Sequence, residues 1–236
     1  MSMIIHKLIA RHLRAGADPH FYLLQANDAI RWMEKRGVVL SEKTEALDLG
    51  CEHGIFGTEL SKRGCRLTFA DQQNMLRPEL AQAPFRQINL DRDDIAILGQ
   101  YDLVVCSNVL EHLSQPVRFL ENMANLLRPG GFFYLSWTNW LSPWGGHSFS
   151  PFHYLGPRKG HLVYDRLRPG KRRDTPFVNL YPTYIGPFLK LLRAQPSLRI
   201  VRMAPRYYPE FAFLVHLPIA REFLCWNCAT LLQKKP

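Results

Sequence analysis

The stretch from Ala46 to Gly57, A-L-D-L-G-C-E-H-G-I-F-G, places three glycines and two acids in the seam between an apolar run and a helical one. Residues 45–49 are short and apolar, with Asp48 and Gly50 at their end, and residues 55–62 carry a helical pattern that Gly64 stops. That order predicts a strand, a glycine turn and a helix. In an open α/β sheet such a turn lies at the carboxyl end of a strand, where a backbone without Cβ lets a ligand come close.

The same alternation continues along the chain. Residues 65–70 read as a strand ending in Asp71, and residues 85–90 as one that runs out at Asn89 and Asp91. The continuous apolar run Y-D-L-V-V-C at 101–106 has the composition of a strand buried on both faces of a parallel sheet. Ser114 is placed to cap a helix whose Val117, Leu120, Met123, Ala124 and Leu127 share one face, and Pro129-Gly130-Gly131 is expected to end it before a strand at 132–137. Upstream, Asp18-Pro19 opens a helix that carries Phe21, Leu24, Ile30 and Met33 and is closed by Gly37. After Trp137 the period is lost: residues 138–182 mix aromatics, prolines, glycines and charges over a length typical of a lid or binding loop. Residues 184–192 then read as a helix, and 198–203 and 225–232 as strands. The expected fold is α/β: a doubly wound, Rossmann-like, seven-stranded sheet, mostly parallel, with helices on both faces and an irregular lid after the fifth strand. One domain over 1–236 is expected, with a ligand-binding core at 45–137 and the lid at 138–182.

Composition narrows the partners. With 47% hydrophobic and 21% charged residues the chain is neither disordered nor membrane-like. Its net charge of +10 is partly local, since seven basic residues fall within 158–173; such a run is either a solvated loop or a surface for an anionic partner. Five cysteines in an unpaired pattern suit a reducing compartment, and Cys225-Trp-Asn-Cys228 lacks the second ligand pair of a zinc site, so two structural thiols are expected there. The N-terminal segment has no signal-peptide pattern, and the apolar residues 211–220 are interrupted by His216 and Pro218, short of the ~20 needed for a transmembrane helix. These features point to a cytoplasmic protein. Ile4, Ile5, Leu8, Ile9 and Leu13 form an apolar face that suits a partner, the domain itself or peripheral membrane contact.

Asp71 stands about twenty residues past the glycine turn, where a carboxylate can accept from both hydroxyls of a ribose or cap the segment that follows. Taken together, D-L-G-C-E-H-G, F-A-D, the corner at Asn89 to Asp91, Y-D-L-V-V-C-S-N-V-L-E-H-L and L-L-R-P-G-G-F-F-Y-L resemble, in order and spacing, the motifs of class I S-adenosylmethionine-dependent methyltransferases, in particular the small-molecule branch with an L-E-H-L motif. The resemblance runs from about Glu45 to Trp137. It implies S-adenosyl-L-methionine as cofactor and S-adenosyl-L-homocysteine as its product. Gly50, Cys51 and Glu52 would line the methionine part, within the turn bounded by Asp48 and Gly54. The Gly50 and Ser107 carbonyls, with Asn108 beside them, would receive the ammonium group. Asp71 would take the ribose, Gln72 would lie beside the adenine, and Asn89 with the Leu90 backbone would read its edge. Tyr22 and Arg14 are candidates for the methionine carboxylate. Two positions depart from the family: Glu52 replaces a glycine and brings a carboxylate into the pocket, and Asn89 stands where an aspartate is frequent.

Methyl transfer needs alignment and exclusion of water, and a hydroxyl acceptor also needs a base. His112 in L-E-H-L, His147 in W-G-G-H and His153 in P-F-H-Y are the candidates. The expected acceptor is a small molecule, anionic or carrier-linked, with a sugar, lipid-linked or aromatic hydroxyl. His147 and His153 with Asp165 or Asp174 lack compact ligand spacing, so no metal is expected. An RNA substrate is the first rival, opposed by the absence of an appended RNA-binding module and by Ser107-Asn108-Val109-Leu110 in place of N/D-P-P-Y/F. A non-catalytic protein that binds a partner through 158–173 is the second, and a dehydrogenase, which lacks its G-x-G-x-x-G here, the third.

Overall fold

The computed structural model describes residues 6, 10, 19–170 and 172–236. Arg14, Asp18 and the apolar face from Ile4 to Leu13 lie outside the described residues. The first long helix, α1 (Pro19–Glu34), opens on a proline whose missing N–H costs nothing in a first turn. It buries Ala26, Ala29, Ile30, Trp32 and Met33, and Gly37 at φ 89° turns the chain out of it.

Five strands then follow in parallel: β1 (Glu45–Leu49), β2 (Arg66–Asp71), β3 (Phe85–Gln87), β4 (Tyr101–Ser107) and β5 (Leu127–Thr138). β6 (Leu198–Pro205) and β7 (Asn227–Lys234) complete the sheet, with β7 inserted antiparallel between β5 and β6. The order is β3-β2-β1-β4-β5-β7-β6, so the strand order reverses between β1 and β4.

Alternation along β4 shows why its apolar run is continuous. Leu103 and Val105 enter one core with Ala46, Phe56, Tyr134 and α1, whereas Val104 and Cys106 enter the other with Leu47, Phe133, Trp137 and Leu189. Both faces are covered, as a central parallel strand requires. The helix α2 (Ile55–Ser61) lies with α1 on the first face. The second is covered by α3 (Pro116–Asn122) and by α5 (Ile185–Ala194), which follows α4 (Gly160–Leu167) in the chain.

Three boundaries differ from expectation. Leu127 is not on a helix: it pairs with Tyr101 at the start of β5, and Pro129-Gly130-Gly131 lies inside that strand, where the register shifts between Tyr101 and Leu103. A bulge accommodates both a proline without N–H and Gly130 at φ 79°. Ser114 does not cap α3; Gln115 occupies that position without a side-chain hydrogen bond, and Pro116 starts the helix. β3 stops at Gln87 because the Asn89 side chain accepts from the Asp91 N–H (3.0 Å) while its own N–H donates to Asp93 (2.8 Å), a local turn that competes with the ladder.

Residues 139–183 fold as short 3₁₀ turns and α4 around a separate small core of Trp140, Phe149 and Leu180. Its two ends are tied together, since Trp140 N–H donates to the Thr183 carbonyl and the Thr183 hydroxyl to the Thr138 carbonyl, each at 2.8 Å. Cys225, at the end of the short helix α6 (Ala220–Leu224), and Cys228 are buried free thiols. No helix among the described residues is long and apolar enough to cross a membrane.

Candidate functional site

A cavity of about 780 Å³ opens where the carboxyl ends of β1 and β4 diverge. Gly50, at φ 72°, leaves β1 so close to the chain emerging from β4 that a Cβ there would lie 2.3 Å from Val109 Cγ2. Asp48, on β1, is buried, and its Oδ2 accepts the Gly57 N–H of α2 at 2.7 Å. Burial pushes its carboxyl up to about 7; the Gly57 N–H opposes this and the neighbouring Asp71 charge adds to it. Glu52 occupies its turn at φ 46°, a left-handed conformation that glycine adopts without cost.

Asp71 lies at the end of β2, in the cavity wall. One carboxylate oxygen accepts the Glu52 N–H (2.8 Å) and the other the Gln72 N–H (2.6 Å). Each retains acceptor capacity for a ligand hydroxyl. Tyr22 from α1, Cys51 and Glu52 from the turn, and Ser107 and Asn108 after β4 line the same cavity. Burial and the charges of Asp48 and Asp71 hold the Cys51 thiol far above the ordinary range, which leaves it a packing residue rather than a nucleophile.

Four of the expected cofactor residues are not in that wall. Gly54, at φ 73°, starts α2 and faces Leu76 and Leu80. Gln72 is exposed beside the rim, Leu90 lines a separate depression with Ile95 and Phe119, and the Asn89 amide oxygen is engaged by Asp91. His153 is also elsewhere. It is fully buried, its Nε2–H donates to the Ser142 carbonyl at 3.0 Å, and Trp140 and Phe149 pack edge-on against its ring. An acceptor in the cavity does not reach it, which corrects the expectation of a base at this position.

His112 and His147 do meet in the cavity, with ring centroids 5.3 Å apart. His112 Nδ1 lies 2.6 Å from the Asn179 carbonyl. That contact requires Nδ1–H and leaves the Nε2 lone pair free in the neutral ring. Burial, ahead of the opposing Glu111 charge, lowers the His147 pKa and favours its neutral form.

Sequence reasoning missed Arg206, which follows β6. Its Nη1 donates to the Ser107 (3.0 Å) and Ser136 (3.2 Å) hydroxyls and its Nη2 to the Gln25 carbonyl (3.4 Å). The residue is 5% exposed, all these acceptors are neutral, and Nε has no partner. A basic residue just past a strand's carboxyl end was the available signal. Arg173 and Asp174 also reach the cavity, from the end of the basic segment.

A family model described as a methyltransferase domain matches residues 47–133. That match runs from β1 into β5, the strands that frame the cavity, and the solved structures similar to this chain show the fold of the class I S-adenosylmethionine-dependent methyltransferases. The chain is 29% identical to an uncharacterized methyltransferase of Mycobacteroides abscessus, over 97% of this chain and 92% of that one. It is 35% identical to an uncharacterized methyltransferase of Mycolicibacterium vanbaalenii, over 56% of this chain and 51% of the relative. In fold it is similar to an S-adenosylmethionine-dependent methyltransferase from Mesorhizobium loti (18% identity, 88% and 98% covered, TM-score 0.57). It is also similar to magnesium protoporphyrin IX methyltransferase from Synechocystis with bound S-adenosylhomocysteine (16% identity, 91% and 84% covered, TM-score 0.55).

S-adenosylmethionine is the cofactor named for solved structures that share this fold, and the residues present here fit it. The cavity has the volume, and Asp71 offers two carboxylate oxygens at its rim.

Two predictions follow from the turn. Because the folded-state pKa of Asp48 is raised, its contribution to stability is full below 3.8 and is lost as pH rises through about 7. Asp48→Asn, which keeps an acceptor for Gly57, should gain stability relative to the wild type between pH 4 and pH 8, by ~2–4 kcal/mol at most; parallel urea-unfolding profiles across that range would contradict this. Glu52→Gly should raise stability by about 0.5–1 kcal/mol through relief of the left-handed conformation, net of the added chain entropy. An unchanged or lower urea midpoint would show that position 52 carries no strain.

Proposed function

We propose that the protein moves a methyl group from S-adenosyl-L-methionine to a hydroxyl of a small molecule, anionic or carrier-linked, with sugar, lipid-linked and aromatic hydroxyls as the candidate acceptors. The observation that carries this reading is the imidazole pair His112 and His147, brought to the cavity by the L-E-H segment and the lid. When bound, the cofactor supplies a methyl group on a sulfonium, ready for in-line displacement. Asp71 is the group suited to hold the ribose, with Gly50 and Ser107 offering carbonyls to the ammonium and Tyr22 nearby.

The acceptor oxygen loses its proton as it gains the methyl, and the imidazole pair is placed to draw that proton away. Trp144, which packs on Trp226 with centroids 5.1 Å apart, supports a flat or apolar acceptor body and the exclusion of water. Arg206 supports an anion in the cavity. A buried guanidinium held only by neutral oxygens is stabilised by a carboxylate or phosphate, whether it belongs to the acceptor or to the methionine end of the cofactor.

Asp71→Ala should weaken S-adenosyl-L-homocysteine binding more than tenfold through loss of charge-assisted hydrogen bonds. His147→Ala should instead lower turnover on a panel of hydroxylated acceptors by about 10²-fold or more while sparing cofactor affinity. Calorimetry and transfer of a labelled methyl group separate the two effects. Normal affinity in the first variant would move the ribose site, and full turnover in the second would move the acceptor chemistry.

A further inference from the structure

Glu111, adjacent to His112, is only 1% exposed. Its Oε1 accepts the Thr138 N–H at 2.9 Å, whereas Oε2 is buried without any hydrogen-bond partner. A carboxylate oxygen left bare in the interior is costly unless a cation completes it. Two further ligating atoms stand beside it: one ligand atom from each of Glu111, His112 and His147 lies within 4.8 Å of the others.

The supporting contacts are those of a held ligand set. The Asn179 carbonyl fixes His112 through Nδ1 and frees Nε2, the arrangement in which an imidazole ligates a metal. The segment carrying Asn179 is fastened to the same turn, because Tyr181 N–H donates to the Glu111 carbonyl at 2.7 Å. Thr138 orients the carboxylate from the end of β5. His147 is presented by a left-handed backbone (φ 46°), and Asp174 lies in the same cavity wall, where its charge acts on His147.

We infer that Glu111, His112 and His147 form a binding site for a divalent transition-metal cation at the cavity wall. Two imidazoles and one carboxylate suit such an ion and leave positions open towards the cavity. The binding claim is independent of the methyl-transfer reading; only the role that follows rests on it. A cation here would bind the acceptor oxygen and lower the pKa of its hydroxyl, so that the proton passes to solvent; with the ion bound, the imidazoles act as ligands in place of the proton-accepting role they have in the metal-free site. Sequence spacing conceals the set, since two ligands are adjacent and the third lies 35 residues beyond His112, on the lid.

The test is a titration of the metal-stripped full-length protein with Co²⁺, without cofactor or acceptor, followed by calorimetry and visible absorption. The expected result is one equivalent bound, d–d bands without a thiolate charge-transfer band, and at least tenfold weaker binding in both Glu111→Gln and His147→Ala. S-adenosyl-L-homocysteine binding checks that each variant is folded; His147, on the lid, provides the readout if the buried Glu111 variant does not fold. Absence of stoichiometric binding, a thiolate band that points to Cys225 or Cys228, or unchanged affinity in the folded variants would overturn the inference.

Discussion

The site depends on the parallel pairing of β1 with β4, in which Ala46, Leu47 and Asp48 lie opposite Leu103, Val104 and Val105. These strands run side by side, but the strand order reverses between them, so the chains leaving them part and open a crevice. Both strands are buried on both faces, and that burial makes their ends rigid enough to define a cavity. Gly50 and Val109 show how little room the divergence leaves. The cavity-lining residues from β1 and β2 and those after β4 are thus set by one backbone arrangement.

Around that crevice the protein buries charge that serves no packing need. Asp48 is satisfied chiefly by a single amide, Glu111 has a bare carboxylate oxygen, and Arg206 is surrounded by neutral oxygens. Each is unfavourable in an otherwise apolar interior and gains stability when a ligand or ion of opposite charge arrives. Such groups cluster at binding sites because their incomplete satisfaction is what makes binding favourable. The separate core of residues 139–183, Trp140, Phe149 and Leu180, lets that segment present His147 and Trp144 to the cavity without sharing the packing of the main sheet.

Much of this was legible in local pattern. The continuous run of β4 and the glycine seam after β1 report burial and turn geometry directly, and Asp71 follows from its place at the end of β2. Long-range geometry was not legible. Pro129-Gly130-Gly131 has the composition of a terminator, yet it forms a bulge because Leu127 finds a partner in Tyr101. His153 has the residue type of a base but is buried against the small core of residues 139–183. Arg206 and the unpaired oxygen of Glu111 acquire meaning only when β4, β5, β6 and α1 are brought together, which no spacing along the chain expresses.

The central claim is that the crevice between β1 and β4 holds the cofactor. Isothermal titration with S-adenosyl-L-homocysteine tests it most directly, because it requires neither acceptor nor metal. The account predicts one-to-one binding with a micromolar Kd, about −8 kcal/mol. An absence of heat at several temperatures would contradict it and would mean that the Glu52 carboxylate closes the pocket to the cofactor.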